Sequence, residues 1–363
     1  MIKRVVAIAG VLLAVGAMAM LAVAFWPERA GDGDTGSARP EPRSQASVGA
    51  KANGISGDSG SSRINAGRPT DELAKLLPSE DLSFALQPVS EPPAVHYPFK
   101  HPPAAGILFD VKSGDVLWQR RPGLERPIAS LTKMMTALMV ARNDPPRERV
   151  LISAKAASTP GSATGLLPRG RKVPLEALLK ALIMISANDA AVALAEHDGG
   201  TVARFIKAMN RQAEAMGLSC THYSTPNGLR DRGNYSCPRD LAALARADLA
   251  EARIAEIART RYARPRFPIK GKRLHLANNH YFLQRGLTGI PSAEVTGLKT
   301  GYTDASGRCY VTTARLGGHH LGVVLLDSPN PLTQVPALLR AGFQELGAIS
   351  PTAPPPRLAA PAD

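Results

Sequence analysis

Three short motifs follow one another in a fixed order along this chain: Ser130-Leu131-Thr132-Lys133, Ser186-Ala187-Asn188 and Lys299-Thr300-Gly301. If they form one site, three distant segments must meet, and that restricts the architecture more than any composition figure. The first motif supplies a nucleophile with an amine one helical turn away. The second supplies a hydroxyl and an amide, and the third a second amine beside a hydroxyl. Together they describe an acylating serine site. Ser130 is the only serine with lysine at the third following position, and Lys299-Thr300-Gly301 is the only such triplet. Ser328-Pro329-Asn330 also fits Ser-x-Asn, but it follows the Lys-Thr-Gly and its proline marks a turn.

The surroundings of Ser130 fit that chemistry. Leu131, Met134, Met135, Leu138 and Met139 have helical spacing, so Ser130 is expected at a helix N-terminus, where unpaired N–H groups and the dipole favour developing negative charge. Lys133 lies on the same face at i+3. An ammonium cannot accept a proton. To act as base, Lys133 must be neutral part of the time, through desolvation or a nearby cation, and Lys299 is the candidate for that cation.

These motifs, with Gly106-Ile107-Leu108-Phe109-Asp110, Ser113-Gly114-Asp115-Val116-Leu117, Asn188-Asp189-Ala190-Ala191, Pro226-Asn227-Gly228-Leu229 and Tyr302-Thr303, resemble the D-alanyl-D-alanine carboxypeptidases. These are low-molecular-mass penicillin-binding proteins related to serine β-lactamases. The resemblance implies that Ser130 attacks the penultimate D-alanine carbonyl with Lys133 as base, and that Ser186 relays a proton to the departing D-alanine. It implies that the backbone N–H groups of Ser130 and Tyr302 form the oxyanion hole. Asn188 would bond the substrate backbone or orient Lys133, and Lys299 and Thr300 would address the terminal carboxylate. Gly301 would keep the strand open to substrate. Many relatives carry a carboxylate-binding arginine on the strand after the Lys-Thr-Gly hairpin. The matching Leu326-Asp327-Ser328-Pro329 has none, so carboxylate recognition is expected to rest on Lys299 and Thr300, with or without another cation.

Residues 106–110 and 116–120 read as one β-hairpin, and 308–315 and 321–326 as another around Gly317-Gly318. Helical patterns cover 175–185, 190–197, 202–216 and 238–250. Strands at both ends with helices between them predict an α+β domain whose ends build one antiparallel sheet. The family resemblance implies the same β-lactamase/transpeptidase-like arrangement. Ser186-Ala187-Asn188 would then lie in a loop between helices, and Lys299-Thr300-Gly301 on an edge strand facing Ser130.

The chain is expected to divide into four parts: residues 1–26 a signal peptide or membrane anchor, 27–93 a Gly/Ser/Pro-rich tether, 94–348 the catalytic domain, and 349–363 a Pro/Ala-rich tail. A short helical turn is expected around residues 71–77. Lys3 and Arg4 precede a run from Val5 to Trp26 without a charge, long enough to span a bilayer; Ala22-Val23-Ala24 offers the alternative of cleavage. Either reading sends the domain outside the cytoplasm. Export permits disulfides, and Cys220 and Cys237 flank a turn-rich loop, so they are expected to pair, contributing about 3 kcal/mol. Cys309 reads as a small buried strand residue. Cys220-Thr221-His222 lacks a second pair at zinc-site spacing, so no metal is expected, and no cofactor.

The net charge is +14, and Arg253, Arg259, Arg261, Arg264, Arg266, Lys270, Lys272 and Arg273 crowd one segment whose only acid after Arg253 is Glu256. An exported chain so charged is expected to meet anionic wall polymer or lipid head groups rather than nucleic acid. The function expected is removal of the terminal D-alanine from peptidoglycan stem pentapeptides, with β-lactams as inhibitors. A D,D-endopeptidase or weak β-lactamase using the same site, or a non-catalytic wall-binding scaffold, are the alternatives. No glutamate marks a deacylating loop.

Overall fold

The computed structural model describes residues 81–87, 93–229 and 232–350. The expected N-terminal segment, most of the tether with its helical turn at 71–77, and nearly all of the tail lie outside the described residues. Among those described, no helix is long and apolar enough to cross a membrane.

A five-stranded antiparallel sheet is built from both ends of the domain, as the pattern predicts. Its strands are β1 (Ala105–Asp110), β2 (Val116–Arg120), β9 (Glu294–Thr303), β10 (Gly307–Leu316) and β11 (His319–Leu326), in the spatial order β2-β1-β11-β10-β9. The two hairpins β1–β2 and β10–β11 are joined where Ala105 pairs with Leu326 and Asp110 with Leu321. Short two-stranded ribbons decorate the rest: β3 (Arg126–Pro127) with β6 (Tyr235–Ser236), β4 (Arg149–Leu151) with β5 (Lys172–Pro174), and β7 (Tyr262–Ala263) with β8 (Leu276–Ala277).

The central strands are apolar on both faces because both faces are covered. Ile107, Phe109, Val324 and Leu326 face the main core, made with the helices between the sheet segments. Leu108, Val323 and Leu325, one residue out of phase, face Val335, Leu338, Leu339 and Phe343 of the last helix, α9 (Pro331–Glu345). A slip of one residue in β11 would exchange these sets, so the two covered faces fix its register.

The helices are α1 (Lys133–Asn143), α2 (Ala154–Ala157), α3 (Leu175–Met184), α4 (Asn188–Gly199), α5 (Val202–Ala215), α6 (Pro238–Ala250), α7 (Ala252–Arg259), α8 (Tyr281–Arg285) and α9. From Lys133 to Val140, α1 is buried on every side, packed by α3, α4 and α6. This explains its run of Met, Leu and Val: a helix in the centre of a cluster needs no polar face. Truncating Leu138, fully buried there, would cost about 2–5 kcal/mol. Proline at the first position of α6 starts that helix where the sequence places it. The Ser-Ala-Asn loop is shorter than expected. Asn188 is already the first residue of α4, because Ala187 N–H bonds Ala181 O and the chain turns directly into the next helix.

Cys220 and Cys237 form a disulfide, as expected, and Cys309 is a buried free thiol on β10. Burial pushes that thiol up to about 11, which makes it a poor nucleophile at neutral pH.

Candidate active site

Ser130 sits in a 3₁₀ turn, Ala129–Thr132, which runs into α1 at Lys133. Ala129 is held at φ 46°, a left-handed conformation that a non-glycine residue adopts at a cost. The turn therefore presents Ser130 at the N-terminal end of the buried helix, with Lys133 one turn on. Lys133 Nζ donates to Ser130 Oγ at 2.9 Å and to the backbone carbonyl of Asn227 at 2.5 Å. The lysine is 1% exposed. Burial holds its pKa well below the ordinary amine range, the nearby Lys299 ammonium lowers it further, and Asp189 opposes both. The amine is thus placed against the hydroxyl and disposed to be neutral.

Lys299 lies on β9 at the sheet edge, as predicted, and its Nζ donates to the carbonyl of Thr300 at 2.8 Å. Burial lowers its pKa to about 7. Strand β9 touches the turn that holds Ser130. A Cβ on Gly301 would stand 2.9 Å from the backbone nitrogen of Ser130 and 3.1 Å from Ile128 O. The glycine is therefore needed for strand and turn to meet, a stricter reason than leaving room for substrate. Thr300 is half-buried beside it, and the Tyr302 ring is exposed, its hydroxyl donating to Asp304 at 3.1 Å.

The second motif approaches from α4. Ser186 is 5% exposed and held at φ 60°, strained backbone of the kind that collects at functional sites. The Asn188 side chain donates to Pro160 O at 3.0 Å, and its backbone N–H bonds Ser162 O. Asn188 thus ties down the 160–165 loop, and its amide makes no hydrogen bond to Lys133. The adjacent Asp189 carboxylate takes the N–H and hydroxyl of Thr164 and the N–H of Gly165, so the two neighbours clamp the same loop.

The structure adds residues to which sequence reasoning gave no role. Asn227 supplies the carbonyl that holds Lys133. Gly228, at φ 72°, lies so close to the Ser130 turn that a Cβ would fall 1.9 Å from Ala129 O. The Pro-Asn-Gly-Leu turn was visible as a family feature, but a carbonyl acceptor leaves no side-chain signature. His280 is fully buried near Lys299, and burial with that neighbouring charge brings it down to about 4, so it is neutral at physiological pH. The strand end without an arginine holds Asp327, whose carboxylate accepts from Arg126 Nη2 at 2.5 Å; a guanidinium from β3, just before Ser130, is brought there instead. Away from this site Asn143, Asp144, Glu148, His197 and Asp198 gather in a polar cluster, with Asn143 Nδ2 donating to Asp198 at 2.9 Å and His197 Nε2 2.6 Å from Glu148 Oε2. Asp144, Glu148 and His197 could hold a metal by spacing alone, as could Cys220, Cys237 and Asp240, whose two cysteines are already bonded to each other.

The comparisons with known proteins agree with this geometry. The family model for D-alanyl-D-alanine carboxypeptidases matches residues 93–330. The chain is 30% identical over 255 residues to D-alanyl-D-alanine carboxypeptidase DacF of Bacillus subtilis, covering 68% of this chain and 63% of that relative. It is 31% identical over 261 residues to the D-alanyl-D-alanine endopeptidase of Pseudomonas aeruginosa, covering 70% and 81%. The matched part thus spans somewhat under two thirds of the Bacillus relative's length. Among solved structures, a D-alanyl-D-alanine carboxypeptidase from Mycobacterium tuberculosis superposes with a TM-score of 0.64 at 28% identity, covering 75% of this chain and all of that one. A mutant of the Streptomyces K15 DD-transpeptidase gives 0.61 at 26% identity, covering 68% and 99%. A nucleophile and amine in contact, a second buried lysine on the edge strand, and a family match across the whole sheet and helical cluster lead to one assignment: the chain belongs to the D-alanyl-D-alanine carboxypeptidase family of serine peptidases.

Proposed function

We propose that the protein removes the terminal D-alanine from peptidoglycan stem pentapeptides through an acyl-enzyme, and that β-lactams acylate the same serine. The observation that carries this reading is the 2.9 Å contact between Lys133 Nζ and Ser130 Oγ inside a buried, cation-flanked site. Neutral Lys133 takes the hydroxyl proton as Oγ bonds the penultimate D-alanine carbonyl carbon. The oxyanion that forms accepts hydrogen bonds from the backbone N–H groups of Ser130 and Tyr302. Collapse breaks the C–N bond, and the proton passes by way of the Ser186 hydroxyl to the leaving amine. Water then attacks the ester and Ser130 recovers its proton. Lys299, Thr300 and the Arg126 guanidinium near the strand end are the groups to receive the substrate carboxylate.

Cleavage of cross-links between stem peptides is a second reading with its own support. The endopeptidases of Pseudomonas aeruginosa and Escherichia coli are matched over 81% and 78% of their length, more than the carboxypeptidases DacF and DacA of Bacillus subtilis and Escherichia coli, at 63% and 52%. Incubating purified protein with a pentapeptide and with cross-linked wall fragments distinguishes the two. Free D-alanine from the pentapeptide, absent with Ser130→Ala, supports the first reading; cleavage of the cross-link alone replaces it with the second.

The domain is proposed to work outside the cytoplasm, held by the N-terminal apolar segment or released after its cleavage. The charge order at residues 3–26 and the Cys220–Cys237 bond support this, since such bonds persist in oxidising compartments. The basic excess supports a further partner bearing anionic groups, either a wall polymer or lipid head groups.

A further inference from the structure

The basic segment does not act as one patch. Arg253 is turned inward, donating to the carbonyls of Ala141 and Asp144 and to the Glu176 carboxylate. Arg266, Lys272 and Arg273 instead line a groove of about 540 Å³ with Arg149, which comes from the β4–β5 ribbon. Gly271, Pro174, Pro268 and Phe267 complete the lining, and no carboxylate is among it.

Four features show that the cations are held in place without being neutralised. Arg266 and Arg273 pair directly across an antiparallel bridge, an arrangement in which like charges repel. Lys272 is held at φ 57°. Arg149 donates to Lys172 O at 2.7 Å and Arg273 to Arg264 O at 3.0 Å, so the guanidinium groups are fixed by carbonyl dipoles. None of the four cations has a carboxylate partner among the described residues. The ribbon is also anchored: Phe267 and Leu274 are buried in the main core, and Arg171 bonds Pro268 O across the groove at 3.3 Å.

We propose that this groove binds a linear polyanion bearing phosphate groups. This deepens the anionic-partner reading above and does not depend on the peptidase activity. A planar carboxylate is satisfied by one guanidinium fork, whereas a tetrahedral phosphate presents oxygens to Arg149 on one wall and to Arg266 and Arg273 on the other. A chain can enter a groove that a bilayer plane cannot. Phe267, the large apolar side chain of the lining, is 3% exposed and offers no wedge for insertion into acyl chains. A groove that holds a wall-type phosphate polymer would keep the enzyme along its insoluble substrate by avidity, without contact between polymer and catalytic serine.

The test measures binding of long-chain sodium polyphosphate to the full chain across a salt series, with polyglutamate and phosphatidylglycerol vesicles as comparison probes. The double variant Arg266→Gln/Arg273→Gln should weaken polyphosphate binding about ten-fold or more and lower the slope of log K against log salt by roughly two. The charge-matched double variant Lys207→Gln/Arg211→Gln, on the exposed face of α5, should change it by less than about two-fold. Acylation by fluorescent penicillin, equal in all three proteins, establishes that they are folded. Equal losses in both double variants would overturn the proposal in favour of diffuse charge attraction. Polyglutamate bound as tightly as polyphosphate would overturn the phosphate assignment. Vesicle binding that depends on Arg266 and Arg273 without polyphosphate binding would leave an anionic partner but remove the polymer. Binding to no probe would remove both readings and leave the catalytic assignment untouched.

Discussion

Replacing Gly228 by alanine tests whether the loop that holds Lys133 is fitted to the turn that presents Ser130. Two costs follow from the geometry. At φ 72° an L side chain is strained by about 1–2 kcal/mol, and the new methyl would meet Ala129 O at 1.9 Å, Ala129 C at 2.6 Å and Thr132 Oγ1 at 2.7 Å. Two of these are backbone atoms, so no side-chain rotation relieves them; loop and turn must separate by roughly 1 Å, at a further 1–3 kcal/mol or so. The sum, about 2–5 kcal/mol, corresponds to a melting temperature lower by about 5–15 °C in a domain of this size. The same separation moves Asn227 O away from Lys133 Nζ and shifts Ser130, and a misplacement of about 1 Å at a reacting centre can cost on the order of 100-fold in rate. The assay is differential scanning fluorimetry followed by stopped-flow acylation with fluorescent penicillin well below the melting temperature. A variant that melts with the wild type and is acylated at the same rate would refute the reasoning, because the loop would then yield without disturbing the serine.

Other outcomes are equally specific. Lys133→Arg keeps a cation but removes an amine that can be neutral, so acylation should fall by about 10²-fold or more while circular dichroism stays unchanged; near-normal acylation would remove Lys133 as base. Replacing Cys220 or Cys237 by serine should cost about 2–5 kcal/mol, read as a lower melting temperature, with penicillin acylation retained below it; unchanged stability would contradict the bond's role. Burial and Asp198 raise the Asp144 carboxyl from 3.8 to about 7. Its folded pKa thus lies above the unfolded one, and its contribution is complete below about pH 4 and lost as pH rises through 7. Asp144→Asn should therefore match wild-type stability near pH 4 and exceed it at pH 8 by about 1–3 kcal/mol in denaturant titrations; an equal difference at both values would exclude this titration.

The sequence made legible what depends on side-chain type and period. Both hairpins, the start of α6 and the Cys220–Cys237 bond follow from alternation, helical spacing, proline placement and cysteine position, and the edge position of Lys299 follows from the family resemblance. Backbone roles were hidden. Asn227 acts through a carbonyl, and Gly228 through a close approach set by tertiary packing. The family-like arrangement puts Ser186-Ala187-Asn188 in a loop between helices, yet Asn188 begins α4 while its side chain secures the 160–165 loop, a backbone detail that residue type does not reveal. Charge was read along one segment, whereas folding turned Arg253 inward and brought Arg149 from another ribbon. The Arg126–Asp327 pair joins positions far apart in sequence, and no local pattern announces it.

The proposed mechanism makes Ser130, activated by Lys133, the acylated residue. Peptide mass spectrometry after exposure to penicillin tests it most directly. One penicilloyl adduct is expected on the peptide containing Ser130, absent from Ser130→Ala and close to absent from Lys133→Arg. An adduct on Ser186 or another residue, or an undiminished adduct in Ser130→Ala, would contradict it.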